Sequence, residues 1–432
     1  MLASCSPQIA PVARTEVRTR RCQRCRVTSC WTPGRESPLT RYEPDDFELL
    51  RRLGGLSYRT EVPSAATLLS WTVRDAEDLP DSASQVPDAL RVQTPASRLS
   101  AALPGALDGS SEDGASSPAL WLFAARQLSD GAPVLLKAHA VRARGLAEAE
   151  LRCYEALWQR TPGGLGQDAA PVAPVLGWFT ACSPHDGDGD DDGDALLWVV
   201  QRWTGVLASL AAYPFAKQRA PTPFWPPLQR VRDAPLRLRA RFATRAACGG
   251  ASALAWLHSK RVAHGALDAS CILLSTQEDA AAQLAPDGTR GSLAPVVRLS
   301  NLGFACVGHT NSDAEALMVL ADVAQADCRA LGCAIAECVF SALSSEGPGP
   351  RTSAAALRRL FDDIFQREWD AILAFCTEEP AWSEPCALLA RGGGAGWALI
   401  AALWDDGTYS GDAQTVIQAR EAWLAAVEAD GA

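Results

Sequence analysis

Apolar and polar positions follow one another most regularly between residues 119 and 140. There ALWLFAARQL and APVLLKAHA form two apolar runs of strand type, parted by Ser129, Asp130 and Gly131, and this predicts a hairpin. The next block, LAEAELRCYEALWQR (146–160), places Leu146, Glu150, Cys153, Tyr154 and Leu157 at the spacing of one helix face. VLGWF and ALLWVVQRW (195–203) read as two more strands, and FELLRRLGG upstream as a strand running into a Gly turn. Beyond residue 205 the pattern is helical, interrupted by CILL and VVRLS with the polar stretch 276–294 between them. Strands first and helices later predict an α+β protein. LGCAIAECVFSAL (331–343) is the longest apolar run considered for a membrane span; it falls short of about 18 residues and suits a buried helix instead.

Composition changes this picture at three places. Residues 63–118 dissolve into Ser, Ala, Pro and Gly, ending in PGALDGSSEDGASSP, and read as an insertion. Residues 183–194 carry six Asp within nine positions, yet Leu197 stands where an EF-hand loop needs its twelfth-place Glu, so a solvated hairpin tip is expected rather than a calcium site. Residues 1–40 hold seven Arg and two Glu, so that the net charge of −10 divides into a basic leader and a body near −15. A basic, Ser/Thr-rich, acid-poor start resembles an organelle transit peptide, with a disordered basic tail as the alternative. A zinc reading of Cys22, Cys25 and Cys30 lacks a fourth ligand nearby. Cys153, Cys248, Cys333 and Cys338 fall singly in apolar segments, as small buried hydrophobes of a reducing compartment do. The acidic body argues against nucleic acid as a partner.

The order of these elements, with the residues they carry, resembles a protein kinase. VLLK fits the third-strand V-A-I-K pattern, which makes Lys137 the counterpart of the phosphate-binding lysine and Glu150 its ion-pair partner. LHSKRVAHGALDASCILLS (257–275) aligns with the H-R-D-L-x-x-x-N loop, VVRLSNLGFA with the strand leading into D-F-G, and DCRALGCAIAE with the helix whose Asp327 would tie down that loop. LLWVVQRWTGVLASL resembles the hinge region, with some likeness to plastid thylakoid kinases. The resemblance implies a bilobal fold: an N-lobe over 41–205 with an antiparallel sheet, one main helix and the 63–118 insertion, and a mostly helical C-lobe over 206–432.

The same alignment removes the chemistry. Ala266 stands at the catalytic Asp, Cys271 at the metal-binding Asn, and Asn301 at the D-F-G Asp. Of the glycine-rich phosphate loop only Gly54 and Gly55 remain, with Leu56 and Arg59 bringing side chains where close backbone approach is needed. Asp268 takes the usual Lys position, where it would repel phosphate or, in the less favoured reading, act as a substitute base. His264, Leu302, Gly303 and Asp327 keep the scaffold. The expectation is a plastid-targeted pseudokinase, a binding, scaffolding or regulatory module for a protein partner. Lys137, Glu150, Gly54 and Gly55 would line a cleft with weak, metal-free ATP binding or none, and Lys137 is taken as an exposed cleft residue that carries little stability. The alternative is a slow Ser/Thr phosphotransferase using Lys137 and Glu150, with Asp268 as base.

Overall fold

The computed structural model describes residues 37–58, 71–74, 120–161, 170–181, 195–203, 208–218, 229–277, 295–308, 314–404 and 413–429. Residues 1–36, the 63–118 insertion apart from Trp71–Arg74, the Asp-rich run and Arg59 lie outside the described residues.

The described chain is an α+β protein whose strand-rich part comes first. Strands β1 (Thr40–Arg41), β2 (Phe47–Tyr58), β3 (Trp71–Arg74), β4 (Leu120–Gln127), β5 (Pro133–His139), β6 (Val175–Ala181) and β7 (Leu196–Arg202) form one sheet in the order β1-β6-β7-β5-β4-β2-β3. Only β1 runs parallel to its neighbour, so the sheet is mixed. The hairpin expected around Ser129–Gly131 joins β4 to β5, where the Gln127 amide donates to the Ala132 carbonyl at 2.8 Å. The Gly turn expected after FELLRRL is not a turn: β2 runs through Gly54, opposite Leu122, and Gly55, opposite Trp121, absorbing two bulges on the way. The backbone pairing of a long strand therefore outweighs the local preference of a Gly-Gly pair for a turn. Packing also begins upstream of residue 40, because Leu39 is buried against helix α1 (Arg144–Gln159).

Alternation along β5 divides the sheet's two faces. Val134, Leu136 and Ala138 join Phe47, Phe123, Phe179 and Trp198 in an apolar cluster on one side. Leu135, Lys137 and His139 face the other. In the first cluster the Phe47 and Phe179 rings lie 5.4 Å apart although β2 and β6 are separated by three strands. A flat sheet would put those strands about 19 Å apart at about 4.8 Å per step, so the sheet must curl, and the aromatic cluster fills its concave side.

The rest of the described chain is mainly helical, with a three-stranded and a two-stranded sheet set among its helices. It comprises β8 (Ala208–Ser209), α2 (Tyr213–Gln218), α3 (Gln229–Ser259), β9 (Val262–Ala263), β10 (Ile272–Leu274), β11 (Val297–Leu299), β12 (Cys306–Val307), α4 (Ala314–Leu343), α5 (Ala354–Arg358), α6 (Trp369–Glu378), α7 (Ser383–Trp404) and α8 (Ala413–Ala429). CILL and VVRLS pair as antiparallel β10 and β11. LGCAIAECVFSAL is the buried C-terminal half of α4, and Gly332 there lets Trp404 lie against the helix backbone. Cys153, Cys248, Cys333 and Cys338 are buried and unpaired. One described stretch, Pro380–Trp404, is long and apolar enough to cross a membrane, which a search for unbroken apolar runs passes over. Its helix breaks at Arg391–Gly394, and Leu388, Leu389, Leu399 and Ile400 are buried in the core.

Candidate functional site

The residues singled out from the sequence converge where β5, α1 and the loops around β9–β12 meet. β5 delivers Lys137 and, two residues on along the same face, His139. α1 presents Glu150 one helix face away. Lys137 Nζ donates to Glu150 Oε1 at 2.8 Å and to Asn301 Oδ1 at 3.0 Å. Lys137 is only 2% exposed, as is Glu150, which corrects the expectation of an exposed cleft lysine. Its removal would leave a buried carboxylate unpaired, a loss of about 3–5 kcal/mol rather than a neutral change.

The orientation of Asn301 follows from chemistry. An ammonium has only donors, so the amide must turn its oxygen to Lys137. Its Nδ2 then faces the Cys271 sulfur at 3.9 Å. Cys271 is itself buried, its thiol reaching toward the Ala266 carbonyl at 3.6 Å, and burial raises its pKa well above the usual thiol range. The two positions that would carry hard oxygen ligands thus offer an amide N–H and a protonated thiol, a poor donor set for Mg²⁺. Asp268 is exposed but committed: its Oδ1 accepts from Ser270 N at 2.8 Å, Ser270 Oγ at 2.6 Å and Cys271 N at 3.0 Å. That carboxylate caps its own turn.

The scaffold residues are equally well placed. Asp327 Oδ2 accepts from the His264 amide at 2.5 Å and Oδ1 from the Gly265 amide at 2.9 Å, with His258 Nε2 at 3.3 Å. His264 is fully buried and its Nε2 donates to the Ser300 carbonyl at 2.8 Å, which fixes its tautomer. Leu302 is buried in the main core, and at Gly303 a Cβ would stand 3.0 Å from the Leu146 carbonyl, so α1 rests directly on this turn. Gly265 has φ +80°, and a Cβ there would meet the Phe304 carbonyl at 2.2 Å; only glycine fits.

Three contributors escaped sequence reading. His139 is buried with both ring nitrogens lacking a hydrogen-bond partner; the Ala143 backbone comes near without hydrogen-bond geometry. Burial, more than the adjoining Lys137 charge, lowers its pKa to about 4. The two-residue spacing from Lys137 is the signal that could have found it. Leu135, on the same face, packs with Ala124, Leu122 and Trp203. Arg160 ends α1 by donating to the Lys260 carbonyl at 2.6 Å and the Gly308 carbonyl at 2.5 Å, stapling the helix to the loops below. The space left among Lys137, His139, Glu150, Asn301 and Phe304 is about 10 Å³, room for one water.

Compared with known proteins, the chain matches no family model, and no curated protein matches it.

Proposed function

We propose that this chain is a protein-kinase-like, bilobal fold without phosphotransfer chemistry, serving as a binding or scaffolding module. The observation that carries the reading is the donor set at Asn301 and Cys271. Asn301 turns its amide N–H toward the protonated, buried Cys271, so the two positions that the resemblance gives to metal ligands present a donor and a thiol, while Lys137 keeps the Glu150 pairing that the resemblance itself implies. Ala266 has no group to take a proton, and the loss of a positioned base typically costs about 10² to 10⁴ in rate. Helix α4 runs straight from Ala314 through Asp327, where a kinase would fold a loop for its peptide substrate.

A thermal-shift titration with ATP, with and without Mg²⁺ or Mn²⁺, tests the proposal, because a bound ligand raises apparent stability with its concentration over Kd. No metal-dependent shift is expected at millimolar ATP, and a robust one sinks the reading. Radiolabelled phosphate transfer by Ala266→Asp separates it from the slow-enzyme alternative. We expect no gain, whereas an increase of roughly 10²-fold would establish a kinase missing only its base. We further propose that the Arg-rich start directs the protein to a plastid, with a reporter fusion of residues 1–38 as the check; retention in the cytosol would refute it. Processing is expected before Leu39, whose side chain belongs to the core.

A further inference from the structure

Residues 39–42 lie as a strap along the edge of the large sheet. β1 pairs in parallel with only two of the seven residues of β6, Thr40 opposite Gly177 and Arg41 opposite Trp178, and the Tyr42 amide donates to the Trp178 carbonyl at 2.9 Å. β6 sits between β1 and β7, so lifting the strap leaves β6 as the edge of the sheet. Gly177 is fitted to this neighbour: a Cβ there would collide with the Thr40 carbonyl oxygen and crowd the Tyr42 ring. Glycine inside a strand marks such a close backbone approach.

Side chains seat the strap on both faces of the sheet. Leu39 is buried in a small cluster with Ala147 and Leu151 of α1, Trp178 of β6, and Leu197 and Val199 of β7. On the concave side Tyr42 meets the Phe47 ring edge-on at 5.1 Å and packs on the aromatic cluster. The Arg41 guanidinium lies 5.3 Å from the centre of the Trp178 ring, a cation–π contact. The second half of α1 is held differently, because Cys153, Tyr154 and Leu157 belong to the main core. The first half, which leads up to Glu150, leans on the small cluster that Leu39 completes. A segment with two ladder pairs and one buried leucine stands at the low end of local stability, and a sheet edge that can be uncovered is a template for another strand.

We propose that β6 is a strand-addition site, filled in cis by residues 39–42 and in trans by an extended peptide of a partner protein. The seated strap shows the chemistry of that peptide: a leucine-sized residue for the pocket between α1 and β6, and a basic residue two places on for the Trp178 ring. Main-chain bonds to β6 supply affinity, and the two side chains supply selectivity. The strap is tethered, so it competes at an effective concentration of order millimolar, and the partner peptide gains access when the strap is weakened. Whichever leucine fills the pocket also steadies the first half of α1, and with it the Glu150 carboxylate that meets Lys137. The site rests on the scaffold reading only for its purpose; the strap and its pocket hold whether or not the cleft binds nucleotide.

The test uses the full chain and a labelled synthetic peptide, SPLTRYEP, the sequence of residues 37–44, followed by fluorescence anisotropy. Leu39→Asp, which drives the strap out of its pocket, should bind the peptide at least about tenfold more tightly than the wild type, because the competitor in cis is gone. The same peptide with Asp in place of its leucine should not bind, and adding Gly177→Val to the Leu39→Asp chain should abolish binding. Hydrogen exchange at the amides of Ala147 and Leu151 should quicken at least about tenfold in Leu39→Asp and return toward the wild-type rate when the peptide is added. Circular dichroism checks the fold, and where Leu39→Asp loses it the milder Leu39→Ala is read instead. Equal affinity in wild type and released chain, no binding to the released chain, or unchanged exchange in α1 overturns the proposal. So does loss of the fold in both variants, which would make Leu39 a fixed part of the core. An ATP titration on the same sample reports separately on the cleft, so failure of one reading is distinguishable from failure of the other.

Discussion

Glu150 and Asp327 are both carboxylates 2% exposed to solvent, yet they are held in opposite ways. Glu150 answers a side chain, the Lys137 ammonium. Asp327 answers backbone, the amides of His264 and Gly265, with His258 alongside. A side-chain partner can be exchanged together with the carboxylate, whereas a peptide N–H cannot. The region resembling a chemical site is therefore replaceable in principle, and the region that shapes the loop is not. On the pseudokinase proposal, that difference accounts for how Ala266, Cys271 and Asn301 could replace catalytic positions while the loop that bears them stays in place.

The sharpest way to break this comparison is Asp327→Ala. It strands one buried and one part-buried amide donor, and a cost of about 3–5 kcal/mol is expected in urea denaturation, with no second-site apolar change restoring it. A loss under about 1 kcal/mol would mean the loop does not depend on that carboxylate.

Lys137→Met alone should cost about as much, because Glu150 is left charged and unpaired. The double change Lys137→Met, Glu150→Leu should return the protein to within about 1 kcal/mol of the wild type, or above it, since buried ion pairs replaced by packed apolar groups are often neutral or stabilising. If the double variant stays as unstable as the single one, the pair organises α1 in a way that packing cannot replace, and the contrast with Asp327 disappears.

How much of this was legible beforehand differs between the two regions. Most strand and helix spans follow from local periodicity, although the strand Trp71–Arg74 within the 63–118 insertion does not, and the Lys137–Glu150 pair and the Asp327 anchor were expected only from the protein-kinase resemblance. Gly54 and Gly55 misled because a Gly-Gly pair signals a turn locally, and only the pairing of β2 with β4 and β3 reveals a continuous strand. The burial of Lys137 was equally hidden, since a lysine in an apolar strand ordinarily extends its ammonium into water. Its depth depends on Asn301, 164 residues away in sequence. Arg160 carries no motif, and its role emerges only from tertiary contact.

His139 adds a pH axis to the site region. Its pKa is about 4 in the folded chain against an ordinary 6.5, principally through burial, with Glu150 opposing and Lys137 reinforcing the shift. Between those values the unfolded chain takes up a proton that the folded chain refuses. The His139 contribution is therefore intact above pH 6.5 and is lost as pH falls toward 4, a drop of roughly 3 kcal/mol. Denaturation midpoints measured across that window should show the slope in the wild type and a reduced slope in His139→Leu. Identical slopes in the two proteins would show that the imidazole is solvated or partnered in solution.

The smallest expected effect is the most informative about function. Asn301 has φ 63°, in the left-handed region that Asn and Asp tolerate better than other non-glycine residues. Asn301→Asp keeps an oxygen for Lys137 and loses only a long contact to Cys271 sulfur, while adding a charge that Glu150 opposes and Lys137 favours. These terms offset, and a stability change under about 1 kcal/mol is expected. The substitution also puts a carboxylate at the position that the protein-kinase resemblance gives to a metal ligand, yet Cys271 still offers sulfur and Ala266 no base. Residues that act as a unit are grossly non-additive in their kinetic effects, so one restored part should leave radiolabelled transfer at background. Transfer that rises with Mg²⁺ in Asn301→Asp would show that the metal ligand alone was missing. The site region would then be a dormant catalytic centre rather than a replaceable piece of scaffold.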